Sequence, residues 1–113
     1  MKINVLGTDY TLKEATESTD NKLVGKDGYC DTSVKLCVVD KMDGSIKDAK
    51  NNLPAYKRNV IRHELIHAFL FESGLDANSW AWNEEMVDWI AIQFPKLLKA
   101  FRNANAITGE DTE

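Results

Sequence analysis

The stretch VIRHELIHAFL, Val60 to Leu70, holds both histidines of this 113-residue chain. They stand four residues apart, with Glu64 directly after the first. Apolar residues recur around them at helical spacing. Ile61, Leu65, Ala68 and Phe69 form one stripe, and Val60, His63, His67 and Leu70 or Phe71 form an adjacent one. On an α-helix, positions i and i+4 project from one face a turn apart, so His63 and His67 can share a metal ion. Imidazole nitrogen suits zinc. Glu64 points aside from the ligand pair, toward a water on such an ion, and can take its proton. The pattern H-E-x-x-H has this mechanical content when it lies on a helix. The competing explanation is a helix that carries two structural histidines by chance. Three fixed residues are only moderately specific. The placement in mid-helix, spending both histidines, favours the metal.

Working outward, the helix runs from about Leu53 to Phe71. Asn52 suits its N-cap, Pro54 is tolerated in a first turn, and Gly74 suits a stop. Upstream, Tyr29 to Asp40, YCDTSVKLCVVD, carries the strongest strand signal. Val34, Leu36 and Val38 share one face, and Cys37 and Val39 the other. Asp43-Gly44 is a turn pair, and Ser45 to Asn52 suits a short helix. At the N-terminus, Ile3, Val5, Tyr10 and Leu12 read as a hairpin turned by Gly7-Thr8-Asp9. Residues 13–28 read as a polar surface excursion.

Downstream of a GLDANS loop, a second helix starts between Ser79 and Asn83. Pro95 ends or kinks it, or opens a third helix over KLLKAFRN. Residues 1–102 form a single domain on this reading. The polar, acidic segment 103–113 is expected to be a disordered tail. The tryptophans Trp80, Trp82 and Trp89 are expected in the core, with a hydrophobic wall beside the metal as the sharper alternative.

Composition narrows the function classes. A 43% hydrophobic and 28% charged chain has the balance of a globular domain. The net charge of -4 gives no electrostatic footprint for nucleic acid. No apolar run approaches the length of a membrane span. The opening MKINVLGTDY lacks an apolar leader, so a cytoplasmic location is expected. Cys30 and Cys37 are accordingly expected as reduced thiols.

Two histidines do not complete a catalytic zinc site, which takes three protein ligands and an open position. With no third histidine in the chain, the third ligand is a carboxylate or, as the weaker alternative, a cysteine. WNEEMVDWIA offers Glu84, Glu85 and Asp88. Acidic residues in a first turn also simply favour the helix dipole. Glu84, Val87, Asp88 and Ala91 share a face, whereas Glu85 turns about 100° away. Glu84 is thus favoured over Glu85 as ligand. Asp88 is placed to hydrogen-bond the outer nitrogen of a ligand histidine.

HELIH followed by NEEMVD resembles the gluzincins, zinc metallopeptidases whose third ligand is a glutamate on a second helix. Asn83, Glu84 and Asp88 match the N-E-x-x-S-D form of that motif, with Val87 in place of its serine. The compact arrangement is most similar to small metallopeptidase-like proteins of phages and prophages, and more distantly to the ImmA/IrrE-type peptidases. The likeness covers roughly residues 28–101 and is specific at the two motifs.

The resemblance implies an α+β, zincin-like minimal domain. A short antiparallel sheet would pack on the H-E-x-x-H helix and a glutamate-bearing helix behind it. It implies one Zn2+ held by His63, His67 and Glu84, with Asp88 behind them and Glu64 as the general base of peptide-bond hydrolysis. It also implies that the strand before the metal helix, at Leu36, Cys37 and Val38, is an edge that pairs with a peptide or protein substrate. Tyr29 and Tyr56 are the candidates, by elimination, for stabilising an oxyanion. The competing function is a metal-binding regulatory or protein-interaction module without turnover.

Overall fold

The structure is a computed structural model that describes residues 1–42, 52–75 and 79–113. It is a compact α+β fold of four strands and two long helices: β1 Lys2–Val5, β2 Thr8–Ala15, β3 Gly28–Asp31, β4 Leu36–Asp40, α1 Leu53–Glu72 and α2 Glu84–Asn103. The turn pair Asp43-Gly44, and the short helix expected from Ser45 up to residue 51, lie outside the described residues.

The sheet order is β1-β2-β4-β3. The β1–β2 and β3–β4 pairs are antiparallel, but β2 and β4 run parallel, with Leu12 opposite Cys37. The expected purely antiparallel sheet is therefore corrected to a mixed one. The physical reason lies in YCDTSVKLCVVD, which is not one strand. Asp31 caps a turn by accepting the N–H of Ser33, and Lys35 adopts a left-handed φ of 55°. The chain reverses there, so Val34 is exposed at the turn and does not share the face of Leu36 and Val38. The first hairpin also turns earlier than expected. Leu6 and Gly7 both have positive φ, 52° and 91°, which is the two-residue geometry that matches strand twist. β2 then continues to Ala15, into what reads as surface excursion in the sequence.

Both faces of β4 are covered. Cys37 and Val39 face α1, packing with Val5, Tyr10 and Ala68 and with Met42 and Val60 respectively. Val38 and Leu36 pack on the other side with Ala15, Leu23 and Tyr29, under a single 3-10 turn at Asn21–Leu23. Cys30 and Cys37 are free thiols directly opposite each other on β3 and β4, with their Sγ atoms 3.6 Å apart.

The ends of α1 follow the sequence signals. The Asn52 side chain accepts the Ala55 N–H, Pro54 sits in the first turn, and Gly74 takes φ 85°. The Leu75 N–H then reaches back to the Leu70 carbonyl, and that of Gly74 to Phe71, which satisfies the last carbonyls. At α2, the Asn83 side chain caps by accepting the Met86 N–H. Pro95 neither ends this helix nor opens another, because α2 runs through it to Asn103. The missing proline N–H leaves the Ala91 carbonyl without its intrahelical donor. Arg62 of α1 supplies one instead, Nε to O at 2.6 Å.

Of the segment 103–113, expected as a disordered tail, Asn103 closes α2 and the rest holds one 3-10 turn at Gly109–Thr112, closed by a capping box from Thr108 and Asp111. Among the described residues no helix is long and apolar enough to cross a membrane.

Candidate metal centre

His63 and His67 lie one turn apart on α1, and the first turn of α2 brings Glu84 over them. The His63 and His67 Nε2 atoms are 3.1 Å apart. Glu84 Oε2 is 3.0 Å from His63 Nε2, and Oε1 is 2.9 Å from His67 Nε2. The Asn83 cap starts α2 at Glu84 and so sets which carboxylate faces α1. These three side chains alone among the described residues form a cluster able to hold a metal ion. Glu85 is not in it, so the choice of Glu84 rests on helix phase and is met by the geometry.

The donor set suits a cation. Asp88 Oδ1 lies 2.6 Å from His63 Nδ1. A carboxylate there holds the proton on Nδ1 and leaves the Nε2 lone pair facing the other two donors. With the His67 proton also on Nδ1, three lone pairs converge, an arrangement that a cation among them stabilises. Ligands at about 2.0–2.1 Å in a tetrahedral arrangement stand about 3.3 Å apart, close to the spacings of these three donors. Burial holds the His67 pKa below the ordinary imidazole value, partly opposed by Glu84, which favours the neutral, ligating form. The Glu84 side chain is 65% exposed, so the cluster opens to solvent on one side, as a site with a free coordination position must.

Glu64 differs from its neighbours in being buried, at 7% exposure. Burial pushes its carboxyl up to about 7; His63 opposes this, and Glu84 adds to it. It lines a cleft of about 600 Å³ with His63, His67, Glu84, the β3 residues Gly28, Tyr29 and Cys30, and Trp82. A smaller hollow of about 350 Å³, bordered by Asp27, Tyr56, Asn59 and Asp88, meets the same His63 and Glu64 from the other side. Gly28 makes the approach of β3 possible. A Cβ there would meet the Val38 carbonyl oxygen at 2.9 Å, Val60 Cγ1 at 3.0 Å and Glu64 Cγ at 3.3 Å. Sequence reasoning missed Gly28, and also Arg62, whose partner lies on the other helix.

The edge-strand assignment is corrected. Leu36, Cys37 and Val38 sit on β4, which has β2 on one side and β3 on the other, so its backbone groups are already paired. The strand that ends the sheet beside the cleft is β3. The tryptophans are also not core residues. Trp80, Trp82 and Trp89 are 48%, 64% and 56% exposed, and of the three only Trp82 borders the cleft. Both tyrosine candidates have committed hydroxyls. Tyr29 donates to Asp20 and Tyr56 to Asp27. Burial and then Asp20 push the Tyr29 phenol up to about 12, and Asp27 and then burial do the same for Tyr56.

No family model, curated protein or solved structure matches the chain. The fold and the site therefore stand on their own geometry.

Proposed function

We propose that this domain is a minimal, zincin-like metallopeptidase that holds one zinc ion at His63, His67 and Glu84. The observation that carries the reading is the convergence of those three donors, with Asp88 behind His63 and a buried carboxyl, Glu64, next to them. Bound zinc supplies Lewis acidity, polarising a scissile carbonyl and lowering the pKa of an attacking water.

The protein supplies the rest. Glu64 would accept the proton of the water and return it to the leaving amine, from a buried position beside the ligands. Asp88 keeps His63 in one tautomer and one ring orientation. β3 offers the backbone donors and acceptors of a sheet edge to an extended peptide. Trp82, Leu70, Phe71 and Leu75 give the cleft an apolar wall for its side chains.

The test is Glu64→Gln. It should keep stoichiometric zinc and lower peptide cleavage by about 10²–10⁴-fold. The exposed aromatic residues of α2, Trp89, Phe94 and Phe101, favour a second reading as a metal-stabilised interaction module. A wild-type protein that holds zinc yet cleaves nothing in a broad peptide library would decide for that reading.

A further inference from the structure

We infer that Arg62 is a positioning residue for the metal site. By donating to the carbonyl that Pro95 leaves open, it fixes where the Glu84 helix docks on the histidine helix. The inference rests on the metal reading above and adds what holds the two halves of the site in register.

Three ties join α1 to α2 within two helical turns. Glu84 meets His63 and His67, Asp88 meets His63, and Arg62 meets Ala91. Glu84, Asp88 and Ala91 stand at i, i+4 and i+7, so all three lie on one face of α2. The first two ties end on side chains that are 65% and 58% exposed, which can follow a shifted helix by changing rotamer. The third ends on a backbone carbonyl, which cannot turn away without moving the helix.

Ala91 is fully buried. A carbonyl at a buried position, deprived of its donor by Pro95, needs another partner, and water is poorly placed to be one. Arg62 meets that need from the residue directly before ligand His63. One hydrogen bond thus satisfies the proline defect and sets the spacing between the ligands of the two helices. A ligand set of this kind has to be held within about 0.5 Å.

A cobalt titration followed by visible absorption tests this on the full chain. The proteins are wild type, Arg62→Ala, Pro95→Ala and the double variant, with urea unfolding as the parallel measurement. Pro95→Ala restores an N–H for the Ala91 carbonyl inside α2 but makes no bond to α1. Arg62→Ala should lower the urea midpoint and weaken cobalt binding by about tenfold or more. The double variant should recover the midpoint while its cobalt affinity stays weak and its d–d spectrum stays altered. A merely structural arginine would recover both together. A double variant with wild-type affinity and spectrum overturns the inference. So does one that does not fold, because Arg62 would then be needed for more than that carbonyl. A wild-type chain that takes up no cobalt refutes the metal site itself, and this inference with it.

Discussion

His63 is engaged at both ring nitrogens, by Asp88 at Nδ1 and by Glu84 at Nε2. That double engagement makes the roles of the acidic residues separable. Glu84→Ala should abolish tight zinc binding, whereas Glu85→Ala, on the adjacent residue of the same turn, should leave it intact. Asp88→Asn keeps the shape but removes the charge behind the ring, and should weaken zinc by about 10–100-fold in a competition titration. Equal affinities for Glu84→Ala and Glu85→Ala would remove Glu84 from the ligand set. Much of this scale was legible in the sequence. His63, Glu64 and His67 follow from i and i+4 spacing, and Glu84 and Asp88 from helix phase. Gly28 and Arg62 were not legible, because each matters through a contact with an element far along the chain. Gly28 reads as a turn glycine until β3 is seen against Val60 and Glu64.

Among the elements, α1 is legible almost to the residue because its signals are local: a cap, a proline in the first turn and a stop glycine. The sheet was harder, since pairing is decided between strands. One local signal did exist. Leu36 to Val39 is four apolar residues in a row, the mark of a strand covered on both faces, whereas a one-sided strand alternates. That run marks β4 as covered on both faces, while the edge position of β3 follows only from the strand order. Pro95 belongs with these non-local cases: α2 runs through it, so it neither ends the helix nor opens a third one. A proline inside a helix removes one donor and crowds the carbonyl four residues back, and here the freed carbonyl finds its donor on another element, at Arg62. The close seat of β3 gives a prediction at this scale. Gly28→Ala should cost about 1–3 kcal/mol in urea unfolding, because the nearest contact is the Val38 backbone oxygen, which cannot swing away. It should also lower cleavage by lifting β3 from Glu64. A variant as stable as wild type would show that β3 can shift to admit a methyl group at no cost.

The whole molecule is tied together at the far end of α1 by Glu72. It accepts from the Tyr10 hydroxyl at 2.7 Å and pairs with Lys35 at 2.8 Å, joining α1 to β2 and to the β3–β4 turn. Lys35 first, and then Tyr10, hold the Glu72 carboxyl below its ordinary value. A carboxylate with a depressed folded-state pKa contributes stability above its unfolded value, about 4.3, and loses it as pH falls through the folded value. The urea midpoint of wild type should therefore drop more steeply between pH 6 and pH 3 than that of Glu72→Gln. Parallel slopes would mean that the ion pair adds nothing.

Metal is expected to act on the same global stability. An ion that binds only the folded chain adds about 2.7 kcal/mol at 100 times its Kd, raising Tm by roughly 10–20 °C in a domain of this size. His63→Ala should show no such rise.

The most direct test of the metal centre is an anomalous difference map at the zinc edge from crystals grown with zinc. One peak is expected, within bonding distance of His63 Nε2, His67 Nε2 and a Glu84 carboxylate oxygen. A map with no peak there, or with its zinc on other residues, would contradict the metal centre.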